Sequence, residues 1–280
     1  PEQRRIAEIL DTLDEAIRKT ELLVAKLKQV KRGLLHDLLT RGIDDNGELR
    51  DPERHPEQFN ESVLGKIPKA WSVTELGSLL EGIDAGWSPA CIEAMPVNGA
   101  WGVLKVSAVT GGAFDPRESK TLPEQLKPRP DIEVFAGDIL LARANGVAPL
   151  VGITVQVITS PRGLMLSDKL LRLRPIQQTL RSGFLARLMG LASIRRQVDA
   201  ALSGSSGQRN ISQKFIRMLH LPLPSTREQD AMVAALRAPD ERQEREMDLL
   251  SKLRTLKNGL MEDLLTGRVR VADINEQGAA

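Results

Sequence analysis

Lys31-Arg32-Gly33-Leu34-Leu35-His36-Asp37-Leu38-Leu39-Thr40 returns near the far end of the chain as Lys257-Asn258-Gly259-Leu260-Met261-Glu262-Asp263-Leu264-Leu265-Thr266. Extending the match outward without gaps aligns residues 1–40 with 227–266, an offset of 226, with 15 identities in 40. Glu2-Gln3 falls on Glu228-Gln229, and Asp14-Glu15 falls on Asp240-Glu241. The residues between the copies resemble neither. This is a duplication at the two ends, not a solenoid of stacked repeats.

Each copy reads as a long amphipathic helix. Ile6, Leu13, Leu27 and Leu34 recur every seven residues, with Thr20 at the remaining position. Ile9, Ala16, Leu23 and Val30 follow three residues later, and Leu10, Ile17, Val24 and Leu38 widen the stripe. That is heptad spacing with a third apolar row, so one broad face needs a partner. Forty residues at about 1.5 Å each span about 60 Å. The second copy keeps Met232, Leu253 and Leu260 in one row and Ala235, Leu249 and Leu256 in another. Its Pro239 predicts a break and a restart at Pro239-Asp240-Glu241, and Gly42 and Gly267 stand where a helix should end. A dimerisation coil or a bundle wall would show the same periodicity. Two copies of one helix in one chain have matched faces, and an antiparallel return through the intervening residues is the simplest way to pair them.

Composition narrows the rest. A chain of 280 residues holds one large domain or two modest ones. A single cysteine, Cys91, excludes a disulfide scaffold, a cysteine-based zinc site and an iron–sulfur cluster. No run approaches the roughly 18 apolar residues of a membrane span, and no signal peptide opens the sequence, so the expected location is cytoplasmic. The first residues, Pro1-Glu2-Gln3, already read as helix, as expected for a fragment of something longer.

Between the helices, residues 41–67 are hydrophilic and turn-rich (Asp44-Asp45-Asn46-Gly47, Asp51-Pro52, His55-Pro56) and read as a linker. From Gly65-Lys66-Ile67-Pro68 onward, short apolar runs alternate with Gly, Pro and Asn. Strands are expected at 71–73, 102–106, 138–142, 151–157 and 169–174. A helix is expected over 178–201, burying Leu180, Phe184, Leu185, Leu188 and Leu191, and a shorter one over Ser212 to Leu219. The fold class is therefore α+β: one mixed α/β domain flanked by two long helices that pair as an antiparallel coiled coil.

Charge is unevenly placed. Residues 139–226 carry 12 basic side chains against two acidic ones, Asp168 and Asp199, inside a chain of formal net charge +2. Such a stretch suits a polyanion, although a solvated basic face or an acidic protein partner would look alike. No catalytic constellation accompanies it. His36, His55 and His220 lie in different segments without metal-ligand spacing, Cys91 has no histidine nearby, and there is no Walker sequence or GxSxG elbow. Pro130-Asp131 with Asp168-Lys169 lacks the second acid-x-Lys element of a nuclease. A methyltransferase motif ending Pro-Pro-Tyr is impossible in a chain without tyrosine. The chain reads as one that selects or binds while something else performs a reaction.

These residues resemble a family. A helix opening Pro1-Glu2-Gln3-Arg4-Arg5-Ile6-Ala7-Glu8-Ile9-Leu10 and closing Asp37-Leu38-Leu39-Thr40 is similar to the conserved central region of type I restriction-modification specificity (S) subunits. Gly65-Lys66-Ile67-Pro68-Lys69-Ala70-Trp71, Leu76-Gly77, Gly137-Asp138-Ile139-Leu140-Leu141 and Leu221-Pro222-Leu223-Pro224 resemble landmarks of that family's target recognition domain. The resemblance covers nearly the whole chain and rests on the combination of motifs. It implies a first coiled-coil helix over 1–42, a linker over 43–67, a target recognition domain over 68–226, a second coiled-coil helix over 227–267 and a tail over 268–280. The order helix, recognition domain, helix is that of a C-terminal half or a half-subunit.

The resemblance further implies a non-catalytic subunit whose helices act as a ruler while the recognition domain reads one half of a bipartite site in double-stranded DNA. Methyltransferase (modification) subunits and restriction motor-nuclease subunits would dock on it, with a second copy of the chain as a further candidate partner and no membrane involved. ATP, Mg and S-adenosylmethionine would belong to those subunits, with no cofactor in this chain. Arginine reads guanine and Asn or Gln reads adenine by bidentate pairs. The loops offering those types hold Arg143 and Asn145, and Gln208, Arg209 and Asn210, with Lys105, Ser167, Lys169 and Lys214 as neighbours. For each of them an ordinary exposed side chain or a phosphate contact is the competing reading. Trp71 and Trp101 read as core, while Trp87 is open between core and stacking platform. The alternative for the whole chain is a coiled-coil adaptor whose α/β domain binds an acidic protein. A free-standing nuclease or methyltransferase ranks third.

Overall fold

A computed structural model of the chain describes residues 2–204 and 207–270. Most of the expected tail, 271–280, lies outside the described residues, as do Ser205 and Ser206 of the Gly204–Asn210 loop. Helix α1 (Glu2–Arg41) is followed by β1 (Phe59–Ser62), β2 (Gly65–Pro68), β3 (Ser72–Glu75), β4 (Leu80–Ala85) and β5 (Gly102–Leu104). Short α2 (Ser107–Thr110) leads to β6 (Ser119–Thr121), β7 (Ile139–Ala142), β8 (Ala144–Asn145), β9 (Thr154–Gln156), β10 (Leu164–Met165) and β11 (Leu170–Pro175). Helices α3 (Ser182–Leu188) and α4 (Ala192–Ala200) precede β12 (Arg209–Asn210), α5 (Gln213–Arg217) and β13 (His220–Leu223). The chain continues through α6 (Thr226–Ala235) and α7 (Arg237–Leu265).

Two compact units divide the chain: one joins residues up to Leu35 with those from Ala234 onward, and the other runs His36–Val233. In the helical unit α1 and α7 pair antiparallel. Asp14 meets Lys257 at 2.5 Å, Glu21 meets Arg254 at 2.7 Å and Lys31 meets Asp240 at 2.6 Å, so positions rise on one helix as they fall on the other. Burial separates the apolar rows. Ile17, Thr20 and Val24 are buried, with Leu13, Leu27 and Leu34 half-buried beside them, which makes the seam a run of alternating four- and three-residue steps. In the row of Ile9, Ala16, Leu23 and Val30 the first three are half-buried, while Val30 and the α7 positions Leu249 and Leu256 are open to solvent at 57, 45 and 51% exposure. Of the broad apolar face expected from the sequence, Leu249 and Leu256 thus lie outside the buried seam. The break between α6 and α7 falls at Leu236, three residues ahead of Pro239. Proline thus stands in the first turn of α7, where no intrahelical amide partner is lost.

The α/β unit is built on a four-stranded antiparallel sheet of order β4-β11-β7-β9. Leu140, Ala142, Val155 and Leu170 face a core closed by α2 and by a second sheet, β10-β5-β6. Alternate residues Ile139, Leu141, Leu171 and Leu173 are buried on the other face, where α3 packs on β9. Strand β11 also holds two arginines, of which Arg174 is exposed and Arg172 is buried. The Arg172 guanidinium meets Asp84 at 2.8 Å and Asp138 at 3.2 Å and donates to the carbonyls of Glu133 and Asp131. Those acceptors hold its pKa above the usual arginine value despite burial, which acts the other way.

Three further expectations change. The segment read as a linker carries the β1–β2 hairpin, which buries Phe59 and Ile67. The expected helix over 178–201 is two helices, separated at Met189–Gly190–Leu191. Leu180, Phe184, Leu185, Leu188 and Leu191 are all buried nonetheless. At the junction of α1 with the α/β unit, Gly42 has φ +64, and a Cβ there would lie 2.3 Å from Glu228 Oε1. Only glycine fits that approach.

Candidate nucleic-acid interface

The expected site residues come mainly from one patch of short pairings. Strand β8 pairs antiparallel with β12, setting Asn145 opposite Arg209 and Ala144 opposite Asn210. On one flank the Arg143 amide donates to the Lys169 carbonyl at 2.8 Å, and the Ile211 amide donates to the Arg143 carbonyl at 3.0 Å. On the other flank Ser203 and Asn210 exchange two backbone hydrogen bonds of 2.9 Å. Segments distant in sequence thus lie side by side as 169, 143–145, 209–211 and 203. Lys169, Gln208 and Arg209 are exposed, and Arg143 and Asn145 are half-buried.

Glycine shapes this platform. Gly204 has φ +111, and a Cβ there would stand 2.2 Å from the Gln208 carbonyl. Arg209 is exposed and donates through Nη1 to the Gly204 carbonyl at 3.0 Å. The two asparagines are committed locally. Asn145 Oδ1 accepts from the Val147 amide at 2.9 Å, and Asn210 Oδ1 accepts from Ser203 Oγ at 2.9 Å. Bidentate adenine reading needs the amide oxygen as well as the nitrogen, so in either asparagine the base would share an oxygen that already accepts one hydrogen bond. Gln208 carries no such commitment among the described residues.

The remaining candidates surround the patch unevenly. Lys214 is exposed on α5, whose first turn is capped by Ser212 accepting from the Phe215 amide at 3.3 Å. Ser167 is buried, its Oγ without a hydrogen-bond partner among the described residues, two residues ahead of Lys169. Lys105 stands apart from the ladder. It leaves β5 beyond the parallel β5–β10 pair, near Glu93. Lys120 holds that exposed Glu93 carboxyl below its usual range, with Lys105 adding a weaker attraction.

Not every cation of the basic stretch faces outward unpaired. Arg172, Arg174, Arg181 and Arg195 pair with Asp84 and Asp138, Asp84, Asp230 and Asp199 respectively. Trp71 is buried as expected, and its Nε1 donates to Glu228 Oε2 at 3.1 Å. Trp87 and Trp101 are half-buried against the core. Sequence reading missed Ser88, whose hydroxyl donates to Asp168 at 2.5 Å from 80 residues away. Burial pushes the Cys91 thiol up, the opposite of an activated nucleophile. Among the described residues no group of three or more His, Cys, Asp or Glu side chains could hold a metal ion, and no helix is long and apolar enough to cross a membrane.

No protein-family model matches the chain. Individual relatives do. Over 182 residues, 64% of the chain, it is 34% identical to the type I restriction enzyme EcoEI specificity subunit of Escherichia coli. Over 284 aligned positions, 98% of the chain, it is 25% identical to the type I restriction enzyme MjaVIII specificity subunit of Methanocaldococcus jannaschii. The chain is a homologue of type I restriction enzyme specificity subunits. It spans 30% of the length of the first of these specificity subunits and 61% of the second. The crystal structure of a type I restriction-modification S subunit from M. genitalium has the same fold, with a TM-score of 0.57 at 16% identity over 94% of this chain and 60% of that one. As in the sequence-based expectation, mixed α and β structure lies between long terminal helices.

Proposed function

We propose that the chain is the DNA-sequence-specificity component of a type I restriction-modification enzyme and that its α/β unit reads one half of a bipartite site. The observation that carries this reading is the gathering of Arg143, Lys169, Arg209 and Gln208 on one platform, in a chain homologous to specificity subunits. Lysine and arginine there give phosphate contacts, which set affinity and salt dependence, while loop side chains reach base edges. Lys214 is a further exposed cation four residues past Asn210, while Lys105 stands apart from this platform and Ser167 is buried, next in sequence to Asp168. The chain performs neither cleavage nor methyl transfer itself.

The same reading makes the paired helices a scaffold. Val30, Leu249 and Leu256 are apolar side chains that the antiparallel pairing leaves exposed, which supports docking of methyltransferase and restriction subunits along the coil. ATP, magnesium and S-adenosylmethionine enter with those subunits. The 40 residues of α1, about 60 Å long, match about 18 base pairs of duplex at 3.4 Å each, enough to separate two DNA contacts by a helical turn or more. A recognition unit in the same polypeptide, or a second copy of this chain, would supply the other half-site. The expected setting is cytoplasmic, and the organisation into recognition domain (68–226) and coiled-coil helices (1–42 and 227–267) is part of the proposal.

Fluorescence anisotropy with duplex DNA across a salt series tests the reading, paired with methylome sequencing of cells that carry the chain and its methyltransferase. Binding that weakens steeply with salt, together with a split methylated motif, is expected. Indifference to duplex DNA alongside stable capture of an acidic protein would overturn it in favour of an adaptor.

A further inference from the structure

Asp168 is an anomaly on this face. Only Asp168 and Asp199 are acidic between 139 and 226, and Asp199 is paired with Arg195. Asp168 is exposed, stands immediately before Lys169, and makes no ion pair among the described residues. A carboxylate held toward phosphates weakens binding to any sequence. Such a group is compatible with a DNA-binding face where it also discriminates, because specificity is a difference between partners and repulsion contributes to it.

Its placement is held from two sides. Ser88 Oγ donates to Asp168 Oδ1 at 2.5 Å, and the Asp168 amide donates back to Ser88 Oγ at 3.1 Å. The Trp87 amide donates to the Leu166 carbonyl at 3.0 Å. At Gly86 a Cβ would lie 2.3 Å from the carbonyl oxygens of Leu166 and Ser167, so the two segments touch backbone to backbone. One residue beyond Asp168, the Lys169 carbonyl accepts from Arg143 and ties the turn to the platform. Oδ1 is therefore oriented by Ser88, while Oδ2 carries no hydrogen bond from a described residue.

Resting on the DNA-reading function above, we propose that Asp168 is a specificity-determining residue that accepts a hydrogen bond from the N4 amine of a cytosine in the major groove, with Ser88 as its positioning residue. An ionised carboxylate only accepts. The major-groove donors are the exocyclic amines of cytosine and adenine, and adenine places its N7 acceptor beside that amine, where it repels a carboxylate. Cytosine offers the amine without that neighbour. Guanine and thymine present acceptors and are repelled.

The test compares the full chain with Asp168→Asn, Asp168→Ala and Ser88→Ala, each with its methyltransferase. Methylome motifs are read in cells, and affinity for the wild-type motif and for a scrambled duplex is measured by anisotropy. For both Asp168 variants, affinity for the motif should fall about tenfold to a hundredfold, following the 1–3 kcal/mol of one base contact. Affinity for the scrambled duplex should rise, because a negative charge has left the face. One cytosine position of the motif should become degenerate. Ser88→Ala should relax the same position without raising scrambled-duplex affinity. Equal losses on both duplexes, an unchanged motif, or relaxation at a base other than cytosine would overturn the proposal while leaving the DNA-reading function intact. A wild-type chain that ignores duplex DNA would overturn both, and it would show before any variant is made.

Discussion

Lys31 Nζ lies 2.6 Å from a carboxylate oxygen of Asp240, and 226 positions away the same two residue types meet again as Lys257 and Asp14, at 2.5 Å. Lys31 and Lys257 are repeat partners, as are Asp14 and Asp240. One interaction is thus made twice, once from each end of the antiparallel pair. The duplicated sequence folds on itself with approximate two-fold symmetry, and complementary faces follow from duplication alone.

Charge reversal checks that pairing. Lys31→Asp places two carboxylates side by side and should cost about 1 kcal/mol or somewhat more, since the pair is partly shielded from solvent. Adding Asp240→Lys should recover most of the loss in urea unfolding. Failure of the double variant to recover would refute the register.

Burial along the coil gives a sharper contrast. Val24 is 6% exposed and Val30 is 57% exposed, although both are apolar members of the same helix. Val24→Asp should cost about 3 kcal/mol or more by burying an unpaired charge. Val30→Asp should stay within about 0.5 kcal/mol in the isolated chain. Equal losses would mean that both side chains are covered. If subunits dock on the exposed apolar side chains, Val30→Asp should instead weaken assembly with the methyltransferase, read by co-purification.

The helices were legible because periodicity and repetition act along the chain. Which apolar row forms the seam was not, since steps of three and four residues are both available from Leu13 and only a partner decides between them. Short strands were less legible. Strand β13 contains Pro222, β10 has two residues, and edge strand β4 interrupts its apolar residues with Glu81, Gly82 and Asp84. None carries the four or more alternating apolar residues that mark a strand on its own. At the candidate site, residue type pointed to Arg143, Lys169 and Arg209, which tertiary pairing brings together. The Ser88–Asp168 contact spans 80 residues and follows from the approach of two loops at Gly86, which leaves no local signature.

Glu228 should prove the most sensitive acid in the α/β unit. Oε1 accepts from Arg50 Nη1 at 2.5 Å and from the Ile43 amide at 3.1 Å, and Oε2 accepts from Trp71 Nε1 at 3.1 Å. Glu228→Ala leaves the Trp71 indole N–H and the Ile43 amide without this acceptor. It leaves the nearly buried Arg50 guanidinium with only the Arg41 carbonyl among the described residues, at 3.4 Å, in place of its carboxylate. A loss of about 3–5 kcal/mol is expected in chemical denaturation. Glu228→Gln keeps an acceptor oxygen and should lose less. A near-neutral alanine variant would show that solvent replaces the carboxylate.

The last prediction concerns which cations face DNA. Twelve basic side chains in 139–226 look equivalent in sequence, yet they fall into two groups. Arg174 is 52% exposed but lies 3.3 Å from Asp84, which already balances its charge. Arg209 and Lys169 are exposed beside the β8–β12 ladder, and neither lies in an ion pair among the described residues. Each phosphate contact releases about 0.9 counterions, so losing one contact lowers the slope of log affinity against log salt by about one unit. Arg209→Ala and Lys169→Ala should each show that change, and Arg143→Ala should weaken binding as well. Arg174→Ala should leave the slope unchanged, because removing it frees a carboxylate without removing a phosphate contact. A slope that falls for Arg174→Ala and holds for Arg209→Ala would move the DNA face from the β8–β12 platform to the β4–β11 edge.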